Sequence, residues 1–214
     1  MVNDRPKPMA EFNGQSFLTF LLKELSFQGI TRVVLSTGYM SEYIIEHLPQ
    51  WHQLLDVEIV VETELLGTGG AINHALTKIH HEEFFVLNGD SYCKTNLKQV
   101  IEFHQVKKSK YTLVATRVDD ISSFGSLTIN NVNEISNFTE KQGVKLPGLV
   151  NAGIYIFNKT LYNQFDKMKK FSLEYDVFPV LIGQSFFCYV TSSPLYDIGT
   201  PESYARALSE LGQE

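Results

Sequence analysis

Three groups of residues in this sequence have the types and spacing to bind a ligand or do chemistry. The first is a glycine run, Leu66-Gly67-Thr68-Gly69-Gly70-Ala71, between a strand-like and a helix-like segment. At the carboxyl edge of an open parallel sheet such loops hold ligands, because glycine lets backbone amides approach closely and adopt positive φ. The run is not a P-loop, since no Lys-Ser/Thr pair follows, and it is not GxGxxG, since Ile72 stands where the third glycine belongs. The second group is a pair of aspartates beside glycines, Asp90 in Asn88-Gly89-Asp90 and Asp197 in Tyr196-Asp197-Ile198-Gly199. Carboxylates projecting past strand ends are hard oxygen ligands, and two of them could share one Mg²⁺ completed by a phosphate if the fold brings them together. The third group is two lysines: Lys7, stiffened between Pro6 and Pro8, and Lys141, which follows Glu140 at a strand end. Taken singly, each has a plainer reading as a compact turn, a helix cap or a solvated side chain.

Other chemistries find little support. The histidines His47, His52, His74, His80, His81 and His104 lack HExxH spacing, and Cys93 and Cys188 form no CxxC or Cys/His array. No GxSxG elbow marks an acyl-transfer nucleophile, and a Rossmann-type oxidoreductase lacks its fingerprint. The 214 residues carry a formal charge of −6 with no like-charge block of five, which argues against a nucleic-acid arm or a polybasic membrane patch. No apolar run reaches the roughly 18 residues of a membrane span. Residues 1–10 lack the apolar core of a leader, so a cytoplasmic protein with reduced thiols is expected.

The elements that must position these groups alternate. The pattern predicts a helix from Phe17 to Leu25 stopped by Gly29, a strand over 32–36, and a helix begun by Ser41 and closed by Pro49. A strand over 57–61, a helix through Ile72 and Ile79, an apolar strand over 84–87, a helix over 97–106 and a strand over 111–115 follow. Beyond Thr116 strands over 126–129, 132–138 and 149–157 come with little helix between them. Helices over 161–168 and 172–181, a strand over 186–190 and a helix over 202–211 complete the chain. This reads as one α/β domain, a Rossmann-like, mostly parallel sheet with helices on both faces and a smaller, more antiparallel C-terminal lobe.

In order, Pro6-Lys7-Pro8-Met9, Glu64 to Ala71, Leu87-Asn88-Gly89-Asp90, Phe138-Thr139-Glu140-Lys141, Asn151-Ala152-Gly153-Ile154-Tyr155 and Asp197-Ile198-Gly199-Thr200-Pro201 resemble the sugar-1-phosphate nucleotidyltransferases. Leu65 to Ala71 and Phe171-Ser172-Leu173-Glu174 look most like the D-glycero-D-manno-heptose 1-phosphate guanylyltransferases. The resemblance implies that an NTP, here GTP, and a sugar 1-phosphate, a heptose or mannose 1-phosphate, give NDP-sugar and pyrophosphate for cell-surface polysaccharide such as lipopolysaccharide or capsule. It implies Mg²⁺ on Asp90 and Asp197, Lys7 on the nucleotide phosphates and Lys141 on the sugar phosphate. It also implies Glu62, Leu66, Gly67, Thr68, Gly69 and Asn88 as nucleotide contacts, and Gly125, Glu140, Asn151 and Gly153 as sugar contacts. Residues 1–116 would form the nucleotide-binding half and residues 117–214 the sugar-phosphate-binding half.

The family opens with a strand and a Gly-x-Gly-Thr-Arg-Leu signature, and Met1 falls just before Pro6 here. Loss of a central strand predicts two unpaired neighbours, a trough in the core and weak turnover. A true start further upstream, a non-catalytic sugar-phosphate or nucleotide binder on the same fold, and a homo-oligomer that fills the gap are the competing expectations.

Overall fold

A computed structural model describes residues 5–141, 143–165 and 169–212. They fall into two compact units that interleave along the chain: the first comprises residues up to Leu65, Asn88–Tyr92 and those from Tyr196 onward, and the second Leu66–Leu87 and Cys93–Leu195.

The first unit begins with a hairpin of β1 (Glu11–Phe12) and β2 (Gln15–Ser16), turned by Asn13 and Gly14 at φ 50° and 76°. Ser16 then caps α1 (Phe17–Phe27), its hydroxyl accepting from Thr19 N at 3.1 Å, and α1 buries Phe17, Leu18 and Leu22. β3 (Arg32–Thr37) pairs in parallel with β4 (Asp56–Val61) from Arg32–Asp56 to Thr37–Val61. Between them lie α2 (Ser41–Ile45) and α3 (Leu48–Trp51). Pro49 occupies the first turn of α3 instead of closing one long helix, because the missing N–H costs nothing there. Trp51 is buried against Met9, Leu18, Leu22, Ile44, Leu55 and Val57, and its Nε1–H donates to Thr19 Oγ1 at 2.9 Å.

The second unit starts with α4 (Gly67–Ala75) and β5 (Glu83–Leu87) and continues after β6 (Ser91–Cys93) through α5 (Leu97–Val106) and β7 (Tyr111–Val118). β8 (Ser126–Ile129), β9 (Ile135–Thr139), β10 (Gly148–Asn158), α6 (Phe178–Leu181) and β11 (Phe186–Thr191) complete it. β10 is the splint of a six-stranded sheet, antiparallel to β7 over most of its length and to β8 and then β5 in turn, while β11 joins β7 in parallel. β5, β7, β8 and β11 therefore share one direction, and the reversed β10 makes the sheet mixed. Apolar β5 is less covered than its composition suggests, with Phe84, Phe85 and Val86 half-buried. β9 starts later than the pattern implies because Asn130 Oδ1 accepts from Val132 N and Glu134 N at 3.1 and 2.9 Å, which holds residues 130–134 as a turn.

The expected helix over 161–168 is a short, tight 3-10 stretch, Lys159–Gln164, capped by Asn158, and residues 166–168 lie outside those described. The expected helix over 172–181 is a π-helical turn, Leu173–Val177, that runs into α6. Tyr111, Leu113, Tyr155, Phe157, Phe171, Leu173 and Phe178 belong to the buried core of this unit.

The chain returns to the first unit at β12 (Leu195–Asp197), which pairs with β6, and α7 (Pro201–Leu211). α7 opens on a reciprocal cap of Thr200 and Ser203 and packs Ala207 and Leu211 with Phe12, Phe17, Tyr92, Tyr196 and Ile198. Among the described residues no helix is long and apolar enough to cross a membrane.

Candidate active site

In the first unit the Lys7, Asn88–Asp90 and Asp197 segments come together. Pro6-Lys7-Pro8-Met9 forms a tight turn closed by Met9 N donating to Pro6 O at 2.8 Å, which leaves the Lys7 side chain exposed. A Cβ on Gly89 would sit 3.7 Å from Pro8 Cγ, so the Asn88–Asp90 turn lies against this one. Ile198 N donates to Asp90 O at 3.0 Å, which sets the two aspartate-bearing segments side by side. Asp197 is held by Gly199 N at 2.8 Å and by the Ser203 hydroxyl at 2.9 Å, both donating to Oδ1. Its other oxygen is thus aimed by contacts that do not use it. Glu62 follows β4, where its N donates to Thr37 O at 2.7 Å and its Oε1 accepts from the Ser36 hydroxyl at 3.2 Å.

Two carboxylates on adjoining segments are a donor set that fits a hard divalent cation which keeps room for phosphate oxygens. Among the described residues no three His, Cys, Asp or Glu side chains gather as a metal cage.

In the second unit Gly125, Glu140, Asn151 and Gly153 form one cluster. A Cβ on Gly125 would lie 3.0 Å from Glu140 Oε2 and 2.8 Å from the Phe138 ring. Gly125 O accepts from Asn151 N at 2.9 Å, which ties this glycine to β10. β10 bulges between Asn151 and Ile154, where Gly153 adopts φ 73°. The bulge is locked by the Asn151 side chain, whose Oδ1 accepts from Gly153 N at 3.0 Å and whose Nδ2 donates to the buried Tyr155 hydroxyl at 2.8 Å. Lys141 follows Glu140 and is exposed.

The glycine run opens α4, and Phe171 explains its composition. Gly69 N and Gly70 N both donate to Phe171 O, at 3.0 and 3.2 Å, and Phe171 N donates to Leu66 O at 3.0 Å. A Cβ on Gly67 would come within 2.6 Å of Phe171 O and one on Gly69 within 2.4 Å of the ring, so the chain can approach this closely only without side chains. The Thr68 hydroxyl faces the same segment: it donates to Glu174 Oε2 at 2.9 Å and accepts from Leu173 N at 2.8 Å.

Ser203 was not singled out from sequence, and Tyr155 and Glu174 lie in family-like stretches without an expected role. Ser203 carries a local signal, since Thr200-Pro201-Glu202-Ser203 has the spacing of a reciprocal helix cap. Tyr155 and Glu174 reach their partners only through the fold.

The model of the nucleotidyl transferase family matches residues 1–214. The chain belongs to the nucleotidyl transferase family. Within it, the chain is similar to D-glycero-alpha-D-manno-heptose 1-phosphate guanylyltransferase of Aneurinibacillus thermoaerophilus, with 32% identity over 99% of this chain and 91% of that protein. Mannose-1-phosphate guanylyltransferase of Mycobacterium tuberculosis is also 32% identical, over 96% of this chain but only 58% of its own length. The crystal structure of HddC from Yersinia pseudotuberculosis complexed with GMP-PN superposes with a TM-score of 0.87 at 34% identity, over 99% of this chain and 92% of that one. The nucleotidyl transferase fold is thereby shown, with the mixed sheet of the second unit as part of it.

Proposed function

We propose that this protein transfers a guanylyl group from GTP to a sugar 1-phosphate, a heptose or mannose 1-phosphate, in the cytoplasm, for cell-surface polysaccharide. The observation that carries this reading is the near-complete match to a heptose 1-phosphate guanylyltransferase. The Gly125–Glu140–Asn151–Gly153 cluster supports it, as hydrogen-bonding groups gathered beside bare glycine backbone suit a polyhydroxylated ring.

A sugar-phosphate oxygen attacks the α-phosphorus of GTP, a new P–O bond forms, and the bond to the β-phosphate oxygen breaks to release pyrophosphate. Such a transfer needs placement and charge neutralisation more than covalent help. Lys7 would meet the nucleotide phosphates and Lys141 the sugar phosphate. Glu62, Asn88 and the Leu66 to Gly69 backbone would contact the nucleoside, and Glu140 and Asn151 the sugar hydroxyls. Asp90 and Asp197 would hold Mg²⁺, which when bound offsets the negative charge of the phosphates.

Release of pyrophosphate from GTP with heptose or mannose 1-phosphate tests this reading, with ATP, CTP and UTP as competitors. Asp90→Ala and Asp197→Ala should each lower kcat by at least about 100-fold, the loss of several kcal/mol of charge stabilisation. Near-normal rates in either variant would remove the metal assignment. Binding of GTP or sugar phosphate with no turnover would favour the non-catalytic alternative.

A further inference from the structure

We infer that Glu174 is a positioning residue for the glycine loop, acting through the Thr68 hydroxyl; the role rests on the reading of that loop as a nucleotide contact. One oxygen of the Glu174 carboxylate, Oε2, accepts two hydroxyl protons, from Ser172 at 2.6 Å and from Thr68 at 2.9 Å. A carboxylate can only accept, so it fixes both rotors with their protons toward itself, and such charge-assisted bonds are the stronger kind. The Thr68 oxygen then also accepts from Leu173 N at 2.8 Å. The side chain of Thr68 is therefore a strut between α4 and the π-helical turn, and only its backbone is left to face a ligand.

The turn is itself well anchored. Leu173 and Val177 are buried in the core, the Ser172 hydroxyl accepts from Glu174 N and Tyr175 N, and Ser172 N donates to Asp176 Oδ2 at 2.7 Å. Phe178, directly after it, packs on the Phe138 ring with centroids 4.9 Å apart, and Phe138 is the ring that a side chain at Gly125 would strike. One rigid piece of chain thus borders both the glycine loop and the Gly125 cluster. π-helical insertions recur at functional sites, and here the extra residue turns Glu174 toward the loop while Tyr175 points outward at 71% exposure. Without Glu174, the Thr68 hydroxyl loses its acceptor, keeps only the bond from Leu173 N, and the loop loses one of its ties to residues 171–174.

Two measurements on the full chain test this inference. In substrate-free protein, Glu174→Ala should speed amide exchange of Gly69 and Gly70 by about tenfold relative to wild type, as expected from losing about one hydrogen bond of restraint. In steady state the same variant should raise KM for GTP by about tenfold, with kcat and KM for the sugar phosphate within about twofold, because misplacing a binding loop affects the ligand it contacts. Glu174→Gln retains an acceptor oxygen and should recover most of both effects. Unchanged exchange in Glu174→Ala overturns the strut. Faster exchange with an unchanged KM for GTP, or an equal loss in every kinetic parameter together with a lower Tm, overturns the positioning role. Absence of turnover with any NTP in wild type removes the function reading instead, and the exchange result still decides whether the strut exists.

Discussion

Asp197 and the glycine loop are both short connections that must be held still, and their restraints come from different distances along the chain. Asp197 is fixed by Gly199 and Ser203, two and six residues away. The loop at Gly67–Gly70 is fixed by Phe171, Leu173 and Glu174, with 106 residues separating Thr68 from Glu174. A locally braced turn can form as soon as its own helix forms. The loop acquires its geometry only when the core of the second unit is assembled, so its stability is that of the unit and not of the segment.

Substitutions that remove each brace measure this difference. Gly69→Ala should be the most damaging, since its Cβ would fall 2.4 Å from the Phe171 ring. Displacing a buried aromatic costs about 1–3 kcal/mol, or roughly 2–4 °C in Tm per kcal/mol for a chain of this size, read by thermal unfolding. Ser203→Ala should cost about 1 kcal/mol, because it removes one half of the reciprocal cap at α7 and one of the two donors to Asp197. It should also weaken Mn²⁺ binding, measured by paramagnetic resonance without substrate. If Ser203→Ala loosens the glycine loop as much as Gly69→Ala in amide exchange, the separation of local from distant bracing is lost.

Tyr162→Phe is smaller and opposite in sign. The Tyr162 hydroxyl is buried near the Phe171 ring with no hydrogen-bond partner among the described residues, and burial pushes its pKa upward. Its removal should be neutral or stabilising by up to about 1 kcal/mol, since an unsatisfied hydroxyl is relieved of its desolvation cost. Smallest of all should be any reaction of Cys188 with a thiol reagent at pH 8. Burial, partly offset by a hydrogen bond with the Ala115 backbone, raises the thiol to about 12 and keeps the thiolate scarce until the unit unfolds.

The same division explains how much could be read before the fold was known. α1, α5, α7 and most strands follow from periodicity, caps and glycine stops, all local in origin. Most of the candidate residues fall in the six family stretches, short runs at strand ends, a helix start and a strand bulge whose chemistry is written in consecutive letters. What sequence reading lacked is pairing. A nearly continuous apolar segment such as 148–158 reads as a strand but does not say that it runs antiparallel between β5 and β7. Nor does the glycine composition of 67–70 show that it serves the approach of Phe171, or that Glu174 reaches Thr68. The helix expected over 172–181 is present from Leu173 to Leu181 but opens as a π-helical turn, a difference in kind that apolar spacing does not distinguish.

The position of β10 also sets an order of events during synthesis. β5 is complete at Leu87, yet its strand partners are Ile154 to Asn158, so about 70 residues must emerge before it can be paired. Until then Phe84-Phe85-Val86-Leu87 is an apolar strand with both edges open, the kind of segment on which nascent chains aggregate. Closure by β10 pairs one edge of β5 together with β7 and β8 in one step. A variant that slows the Asn151–Ile154 bulge should therefore lower soluble yield more than it lowers the stability of the protein that does fold.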